Sequence, residues 1–350
     1  MKNIKINNKY IGDKYPPFII AEISANHKKS LQRIYKIINA ASVAGFDAIK
    51  VQTYKPETIT MKINSNDFKI KDKKSLWYNK TLYEIYKKGS LPWEWHEKIS
   101  KFCKKKKIIF FSSPFDETAV DLLERLNVNL YKVASFEINH HPLLKKIAQT
   151  KKTVILSTGM ASVREIQLAL KTLKKNGCKN IILLKCTSSY PASSEDSNLL
   201  TIKNMKKRFN LNIGLSDHTV GFASAISAIS LGANIIEKHV TIKKNDGGLD
   251  SQFSLELNQF QQFILECKNA KKSIGKVMYG PTKSEIPSLK FRRSIYISKN
   301  IMVGEKITKK NVKVVRPALS LDPINYERIM GMKVKKNLRI GDKLYLRDLK

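Results

Sequence analysis

Cysteine is scarce in this 350-residue chain, and no two cysteines are close neighbours in sequence. The four of them are Cys103, Cys178, Cys186 and Cys267, and no CxxC pair occurs. Zinc ribbons and the disulfide frameworks of small secreted domains both need closely spaced cysteines, so neither is indicated. A reduced, cytoplasmic location is therefore predicted.

Long apolar runs are also missing. No stretch approaches the roughly 20 consecutive apolar residues that a membrane-spanning helix needs. The first ten residues, Met1–Tyr10, mix lysine and asparagine with isoleucine and contain no apolar core of a secretory signal. The sequence therefore predicts no membrane partner.

Acidic residues are few, with 29 Asp and Glu against 65 Lys and Arg, which gives a formal net charge of +36. Only ten of the basic residues are arginine, and the lysines are spread along the whole chain. Nucleic-acid-binding surfaces usually cluster their charge and often use arginine for forked contacts. We therefore expect a compositional bias of the source genome and no nucleic-acid partner. A lysine-rich nucleic-acid-binding protein is kept as an alternative from another class, and the charge would help to attract an anionic substrate.

Short apolar and β-branched runs recur along the chain, and helical spacing follows them. Strands are predicted at Phe18–Ser24, Ala48–Thr53, Ile108–Phe115, Tyr131–Ser135, Thr153–Gly159, Ile181–Ser188, Asn212–His218 and Ile235–Thr241. Helices are predicted between them, for example at Leu31–Ala44, Ala119–Leu126, Val163–Asn176 and Ala223–Leu231. Runs that are apolar throughout are typical of parallel strands buried on both faces. Eight strand–helix repeats predict an α/β fold, the closed (β/α)8 TIM barrel. A doubly wound open sheet is the alternative, but its glycine-rich turn after the first strand is absent from Ser24–His27.

The connection between the second and third predicted strands, Lys55–Lys101, is unusually long and rich in aromatic residues. Its aromatic side chains include Trp77, Tyr78, Tyr83, Tyr86, Trp93 and Trp95. A loop of this length in an enzyme is usually functional or contains its own helix. For most of these aromatics we expect packing against the barrel wall.

The pattern changes near residue 280. The segment Tyr279–Ser288 contains Gly280, Pro281 and Pro287 and is typical of a linker. Beyond it, short runs such as Phe291–Ser298 and Val312–Pro317 alternate with turns. We therefore predict a barrel domain at 1–280, a linker at 281–287 and a small β-rich domain at 288–350.

Polar side chains stand at the carboxyl end of every predicted strand. They are Glu22, Lys50, Gln52, Ser113, Lys132, Ser135, Glu137, Ser157, Thr187, Tyr190, Ser216, His218, Lys238 and His239. Barrel enzymes carry out their chemistry at this end. Burying Lys50 and Lys132 without partners would be costly, and serine hydroxyls add neutral donors. The set predicts a small molecule that bears both a phosphate and a carboxylate.

His218 and His239 end the seventh and eighth predicted strands, which are neighbours in a barrel. Two imidazoles beside Asp217 and Glu237 suit a divalent transition metal that keeps open positions for water and substrate. The other four histidines are expected to be packed or hydrogen-bonded structural residues: His27, His96, His140 and His141.

Several segments resemble the sialic acid synthase family. They are Phe18–His27, Lys50–Thr53, Ser113–Phe115, Tyr131–Ser135, Leu156–Met160, Lys185–Pro191, Gly214–Thr219 and Glu237–His239. The resemblance runs from about Tyr15 to the end of the chain. It implies a barrel followed by an antifreeze-like domain of the SAF, β-clip type, matched at Phe291–Ser298, Gly304–Glu305 and Arg316–Pro317. The implied activity is that of a transferase, a phosphoenolpyruvate-dependent synthase that makes a nine-carbon sugar acid.

The resemblance implies a role for each matching residue. Phosphoenolpyruvate would be held by Lys50, Ser113, Lys132, Ser135, Ser157 and Ser216. The sugar or a metal-bound water would be faced by Gln52, Glu137, Tyr190 and Asp250. His218 and His239 would bind a divalent metal (Mn2+, Mg2+ or Co2+) and would join Glu22, the catalytic carboxylate, in catalysis. Arg316 would contact the sugar by reaching into the barrel of the partner subunit in a domain-swapped homodimer.

Within the family, the closest likeness is to the pseudaminic acid synthase branch. It is carried by Lys74–Trp77, Leu82–Glu84, Pro92–His96 and Asp246–Ser251. Ser113 replaces the usual threonine and keeps its hydroxyl, whereas Ser188 replaces an asparagine that contacts N-acetylmannosamine in sialic acid synthases. The implied acceptor is 2,4-diacetamido-2,4,6-trideoxy-β-L-altropyranose, and N-acetylneuraminic or legionaminic acid synthesis is the alternative. A Schiff-base aldolase that uses Lys132 as nucleophile is a further alternative, and it would need no metal.

Overall fold

The computed structural model describes residues 2–73 and 77–350, and the predicted motif residues Lys74–Leu76 lie outside the described residues. The chain divides into two units, Met1–Gly275 and Lys276–Lys350. The strands are β1 Ile4–Ile6, β2 Lys9–Ile11, β3 Phe18–Glu22, β4 Ala48–Thr53, β5 Ile109–Pro114, β6 Leu130–Val133, β7 Thr153–Ser157, β8 Ile181–Cys186, β9 Asn212–Asp217, β10 Ile235–Thr241, β11 Leu255–Glu256, β12 Ser294–Ile297 and β13 Val312–Val315. The α-helices are α1 Leu31–Ala44, α2 Pro56–Ile59, α3 Leu82–Gly89, α4 Trp95–Lys105, α5 Glu117–Arg125, α6 His141–Gln149, α7 Val163–Lys175, α8 Leu200–Phe209, α9 Ala223–Ser230, α10 Phe260–Ser273 and α11 Tyr326–Ile329.

Strands β3 to β10 of the first unit form one parallel sheet in sequence order. The sheet closes on itself because β10 is hydrogen-bonded to both β9 and β3. A helix of the outer layer follows each strand: α1, then α4 to α10. This is the arrangement of a (β/α)8 barrel, so the predicted fold is confirmed and the open-sheet alternative is wrong.

The first strand of the barrel, β3, is shorter than predicted. It ends at Glu22, whereas the sequence predicted an end at Ser24. Ser24 leaves the strand because its φ is 46°, in the left-handed region. The backbone then makes a single 3-10 turn, Ser24–His27, before α1 begins.

Inward-facing side chains fill the barrel in layers. The lower layers form a cluster of buried apolar residues: Phe18, Ile20, Ala48, Ile109, Phe111, Leu130, Ile155, Ile182, Leu184 and Ile235. The hairpin of β1 and β2 adds Ile4, Ile6 and Ile11 to the same cluster. Asn212, at the start of β9, donates from Nδ2 to the Lys2 carbonyl at 2.9 Å. The hairpin, which the sequence did not predict, therefore closes the amino-terminal end of the barrel.

The long connection between β4 and β5 carries two helices, α2 and α3, before the barrel helix α4 begins at Trp95. Its aromatic residues lie in several environments, and Tyr78 is exposed. Trp93 donates from Nε1 to the Tyr54 carbonyl at 3.3 Å, and Trp95 packs against the barrel core. Trp77 and Tyr86 face the cavity at the barrel mouth.

The second unit has its own core around the antiparallel pair of β12 and β13. Ten buried apolar residues form that core: Ile295, Ile297, Ile301, Ile307, Val312, Ile329, Val334, Leu338, Leu344 and Leu349. The division after Gly275 precedes the predicted boundary at residue 280, and α10 already ends at Ser273. The predicted linker 281–287 overlaps a 3-10 turn, Ile286–Phe291, which has a proline at its start.

Candidate active site

The cavity of the first unit lies at the carboxyl ends of the barrel strands. One inward position beyond the apolar layers, each strand presents a polar or sulfur-bearing side chain: Glu22, Lys50, Ser113, Lys132, Ser157, Cys186, Ser216 and Glu237. The period of two residues along a strand places all of them on the barrel's inner face. The sequence therefore builds a polar floor directly on an apolar base.

A buried charge network crosses this polar floor. Lys50 Nζ lies 2.9 Å from Glu237 Oε1 and 3.4 Å from Glu22 Oε2. Lys132 Nζ lies 3.9 Å from Glu237 Oε1 and donates to the Val133 carbonyl at 2.9 Å. Both lysines were expected to be buried without a protein partner. That expectation is wrong, because the inward face of β10 supplies Glu237 to both.

Burial sets the protonation behaviour of the network. It opposes the charge on Lys50, but the neighbouring carboxylates raise the pKa of Lys50 above its ordinary value. Burial lowers the pKa of Lys132 to about 8. Burial also raises the pKa of Glu22 to about 7 and that of Glu137 to about 7. Two carboxyl groups that titrate near neutral pH beside two lysines are typical of acid–base sites.

Several buried polar atoms at the site have no hydrogen-bond partner among the described residues. They are Glu22 Oε2, Ser113 Oγ, Glu137 Oε2, Ser157 Oγ, Glu237 Oε2 and His239 Nδ1. Buried polar groups in folded proteins are nearly always hydrogen-bonded, to protein, water or ligand. Their concentration around one cavity indicates a polar ligand.

His218 and His239 lie side by side, with ring centroids 5.2 Å apart. His218 Nδ1 pairs with the Thr187 carbonyl at 2.8 Å, which leaves Nε2 available as a ligand atom. Burial, together with His218 and nearby lysines, holds the pKa of His239 well below its ordinary value, so this imidazole is neutral at pH 7. Within residues 2–73 and 77–350, no group of three or more His, Cys, Asp or Glu could hold a metal ion. A metal held by this pair would have to take its other ligands from water or substrate.

Asp217, which was predicted to lie beside the histidines, and Lys238, a predicted strand-end residue, face away from the cavity. Lys238 Nζ lies 2.7 Å from Asp217 Oδ2, and both side chains are buried behind the barrel wall. The cause is the alternation along each strand, which turns the neighbours of an inward residue outward. Thr187 also bonds outside the cavity, to the Asp196 carbonyl at 3.0 Å. These three residues support the site without lining it.

The outer part of the cavity has a polar side. Gln52, Glu137, Tyr190 and Asp250, which were predicted to face the sugar or a metal-bound water, all line the cavity. The Tyr190 ring lies over His218 with centroids 4.4 Å apart. Asp250 Oδ2 lies 3.9 Å from His239 Nδ1. The predicted acceptor residues and the histidine pair therefore share one space.

The cavity also has an apolar wall made of half-buried aliphatic residues. Its members are Ile59, Ile70, Leu82, Ile85 and Leu249. Four of them come from the connection between β4 and α4, and Leu249 comes from the loop after β10. The long connection is therefore part of the cavity.

The predicted residues are largely brought together. Lys50, Lys132, Ser135, Ser157, Ser216 and both histidines line the cavity, whereas Glu22 and Ser113 are buried at its floor and do not line it. Arg316 is an exposed residue of the second unit.

Sequence reasoning missed the roles of Glu237, Ser24 and Cys186. Cys186 Sγ lies 3.9 Å from His218 Nδ1, and Glu237 joins both lysines. Glu237 precedes the predicted His239 by two residues on β10, so alternation along that strand was the signal that could have found it. Ser24 lies beyond the end of β3, where strand alternation does not apply.

A family model described as NeuB family matches residues 37–279, and one described as SAF domain matches residues 292–350. A pseudaminic acid synthase of Campylobacter jejuni is 40% identical over 327 residues, covering 93% of this chain and 95% of its own. An N,N'-diacetyllegionaminic acid synthase of the same species is 36% identical over 325 residues, covering 92% and 96%. The crystal structure of an N-acetylneuraminic acid synthetase from Leptospira borgpetersenii, in complex with citrate, superimposes with a TM-score of 0.73. That structure is 32% identical and covers 83% of this chain and 96% of its own.

Proposed function

The chain belongs to the NeuB family, and from that premise we propose that it condenses phosphoenolpyruvate with 2,4-diacetamido-2,4,6-trideoxy-β-L-altropyranose and water, giving pseudaminic acid and phosphate. It is a transferase of the sialic-acid-synthase type, a family that acts on phosphoenolpyruvate and amino sugars. The observation that carries the proposal is the polar floor, where two buried lysines lie with the hydroxyls of Ser113 and Ser157, which have no hydrogen-bond partner among the described residues. That set matches a phosphate and a carboxylate on one small molecule.

The residues of the polar floor can each be assigned a role in binding phosphoenolpyruvate. Lys50 and Lys132 would neutralise the phosphate of phosphoenolpyruvate, and Ser113, Ser157 and Ser216 would donate to its oxygens. The enol carbon C3 would then point outward, toward the polar side of the outer cavity. An acceptor aldehyde held there would be within reach of C3.

A divalent metal held by His218 and His239 would supply Lewis-acid polarisation of the acceptor aldehyde. C3 of phosphoenolpyruvate forms the new bond to that aldehyde carbon, whose oxygen takes up a proton. Water adds at C2, and phosphate leaves as the C2–O bond to it breaks. Glu22, whose pKa is about 7, can accept the proton that the water loses. Lys50 and Lys132 stabilise the departing phosphate charge.

The apolar wall favours the 6-deoxy, diacetamido acceptor over N-acetylmannosamine. Methyl groups at C6 and on the acetamido groups would pack against its aliphatic side chains. A hydroxyl in the same place would lose its water without gaining a partner from these residues, at a cost of about 1–3 kcal/mol. Ser188, which lines the cavity where the family usually has asparagine, agrees with a different amino sugar.

The decisive experiment measures phosphate release from phosphoenolpyruvate with a panel of acceptors. The panel contains the altro-configured sugar, a stereoisomeric 2,4-diacetamido-2,4,6-trideoxyhexose and N-acetylmannosamine, with a reaction without enzyme as the background control. We expect the altro-configured sugar to give the highest kcat/KM. Preference for the stereoisomer would instead favour legionaminic acid synthesis, and no release with any sugar would overturn the proposal.

Two statements about the protein in its cell stay predictions: the cytoplasmic location and the homodimer. For membranes, none of the helices in the described residues combines the length and apolar character that a bilayer crossing requires.

A further inference from the structure

Ser24 holds an unfavourable backbone conformation at the edge of the cavity. It follows β3, is only 7% exposed, and has a φ of 46°. A serine in the left-handed region is less stable than a glycine there, because its Cβ crowds the backbone. Such conformations persist where the surroundings fix them, and they cluster at functional sites.

The hydroxyl of Ser24 joins two residues of the acceptor side. Ser24 Oγ donates to Asp250 Oδ2 at 2.5 Å. The same oxygen accepts from Gln52 Nε2 at 2.9 Å, and Gln52 Nε2 also lies 3.1 Å from Glu22 Oε1. One hydroxyl, used as both donor and acceptor, therefore links the catalytic carboxyl group to Asp250 through Gln52.

The backbone around Asp250 is held by different contacts. The Asp250 N–H donates to Asn26 Oδ1 at 3.2 Å, and its carbonyl accepts from Ser254 Oγ at 2.6 Å. Asn26 Nδ2 in turn donates to Ser254 Oγ at 2.8 Å. Asn26 and Ser254 therefore place the loop, while the direction of the Asp250 carboxylate depends on Ser24 and on the Ala25 N–H at 3.3 Å.

We propose that Ser24 is a positioning residue for the acceptor sugar, whose hydroxyl sets the orientation of Gln52 and Asp250. This inference rests on the proposed function. Glycine would suit the backbone but could make neither hydrogen bond. Alanine would keep the backbone conformation and also lose both bonds. Threonine would keep the hydroxyl, but a β-branched residue is a genuine outlier at positive φ.

The test compares Ser24→Gly and Ser24→Ala with the wild type. Each variant is assayed for the KM of the acceptor, the KM of phosphoenolpyruvate, kcat and Tm. Loss of a hydrogen bond to a charged group corresponds to about a tenfold change in an equilibrium. We therefore expect the acceptor KM to rise about tenfold or more in both variants, while the KM of phosphoenolpyruvate stays within about twofold. Ser24→Gly should be at least as stable as Ser24→Ala, because glycine relieves the backbone.

Asn210→Gly is the matched control. Asn210 also has a positive φ, 51°, but it is exposed at the end of α8, just before the start of β9 and away from the cavity. It should keep wild-type kinetics. An unchanged acceptor KM in Ser24→Gly, or equal rises in the KM of both substrates, would overturn the positioning role. If the wild type itself released no phosphate with any acceptor, the proposed function would fail, and this inference would fail with it.

Discussion

Lys50 on β4 and Glu237 on β10 form a 2.9 Å ion pair across β3, the strand that separates them. Glu237 Oε1 also accepts from Ser216 Oγ at 3.1 Å and lies 3.9 Å from Lys132 Nζ. A carboxylate thus stands among the groups proposed to hold a phosphate. A bound phosphate would compete with Glu237 for the same lysines.

Glu237→Gln should lower the Tm of the ligand-free protein. Breaking a buried ion pair costs about 3–5 kcal/mol. The loss of stability in Glu237→Gln should be smaller than this, because the isosteric amide retains hydrogen bonds. Phosphoenolpyruvate should then stabilise the variant more than it stabilises the wild type, because its phosphate restores the missing negative charge. Thermal melts with and without phosphoenolpyruvate measure both effects. An unchanged Tm together with an unchanged ligand shift would contradict this electrostatic role.

Lys132→Ala should weaken phosphoenolpyruvate binding without a folding defect. The lost charge-assisted contact is worth about 1.5–3 kcal/mol, a rise of roughly ten- to a hundredfold in KM. Lys238→Ala is the matched control, because this equally buried lysine pairs with Asp217 outside the cavity. The control should lose stability, and kinetics with melting curves separate the two results. A lower Tm with an unchanged KM in Lys132→Ala would make that lysine structural.

The pH dependence of phosphoenolpyruvate capture should report the lowered pKa of Lys132, about 8 against an ordinary value of 10.5. In the free enzyme the ammonium loses its proton as the pH rises through about 8, so kcat/KM for phosphoenolpyruvate should fall above that pH. Stability has the opposite sign: between about 8 and 10.5 the unfolded chain binds more protons, so this lysine makes stability rise with pH. Initial rates from pH 6.5 to 9.5 test the first statement. Lys132→Ala should lack the alkaline fall, and its persistence there would assign it to another group.

Removal of divalent metal by a chelator should abolish turnover, and Mn2+ should restore it. His218→Ala should lose bound metal, measured by elemental analysis, and keep its fold. His96→Ala is the comparison, because His96 is buried against Thr53 Oγ1 at 2.7 Å and should affect stability without affecting metal content. Full activity of a thoroughly stripped enzyme would defeat the metal assignment.

Substitution of Arg316 tests whether two subunits share each active site, as the family resemblance implies. Assayed with phosphoenolpyruvate far below the raised KM of Lys132→Ala, the Arg316→Ala and Lys132→Ala subunits should each show little activity alone. If Arg316 completes the partner's barrel, exchange between the two should restore activity, to about a quarter of the wild-type sites for random twofold dimers. Phosphate release after exchange, with mixed dimers verified by mass, is the measurement. No recovery despite verified exchange would place Arg316 in its own barrel or outside catalysis.

The barrel could be predicted because its strands are apolar runs bounded by polar residues. The bounds of β4 and β10 match the predicted ones at both ends, as do those of α1. The hairpin of β1 and β2 was missed because each strand has three residues and lysine and asparagine dominate the segment. Its isoleucines are buried only through contacts with the barrel floor, which local pattern does not encode.

The sequence predicted many of the residues that belong to the site, but it did not predict which of them pair with each other. A residue at a strand end can be recognised from sequence, whereas the partner of Lys50 depends on which strands become neighbours after closure. The turn of Ser24 was equally out of reach, because no local pattern requires a serine to adopt positive φ. The apolar wall was missed because most of it lies in the connection between β4 and α4, whose aromatic residues were expected mainly to pack against the barrel.

The hairpin beneath the barrel also bears on the order of events in turnover. Because Ile4, Ile6 and Ile11 close the amino-terminal end, ligands would reach the polar floor from the carboxyl ends of the strands, where the cavity lies. If phosphoenolpyruvate occupies the polar floor, an acceptor already seated in the outer cavity would block its way in. Substrate binding would then be ordered, with phosphoenolpyruvate binding before the acceptor. Phosphate, which forms deepest in the cavity, would leave only after the sugar acid.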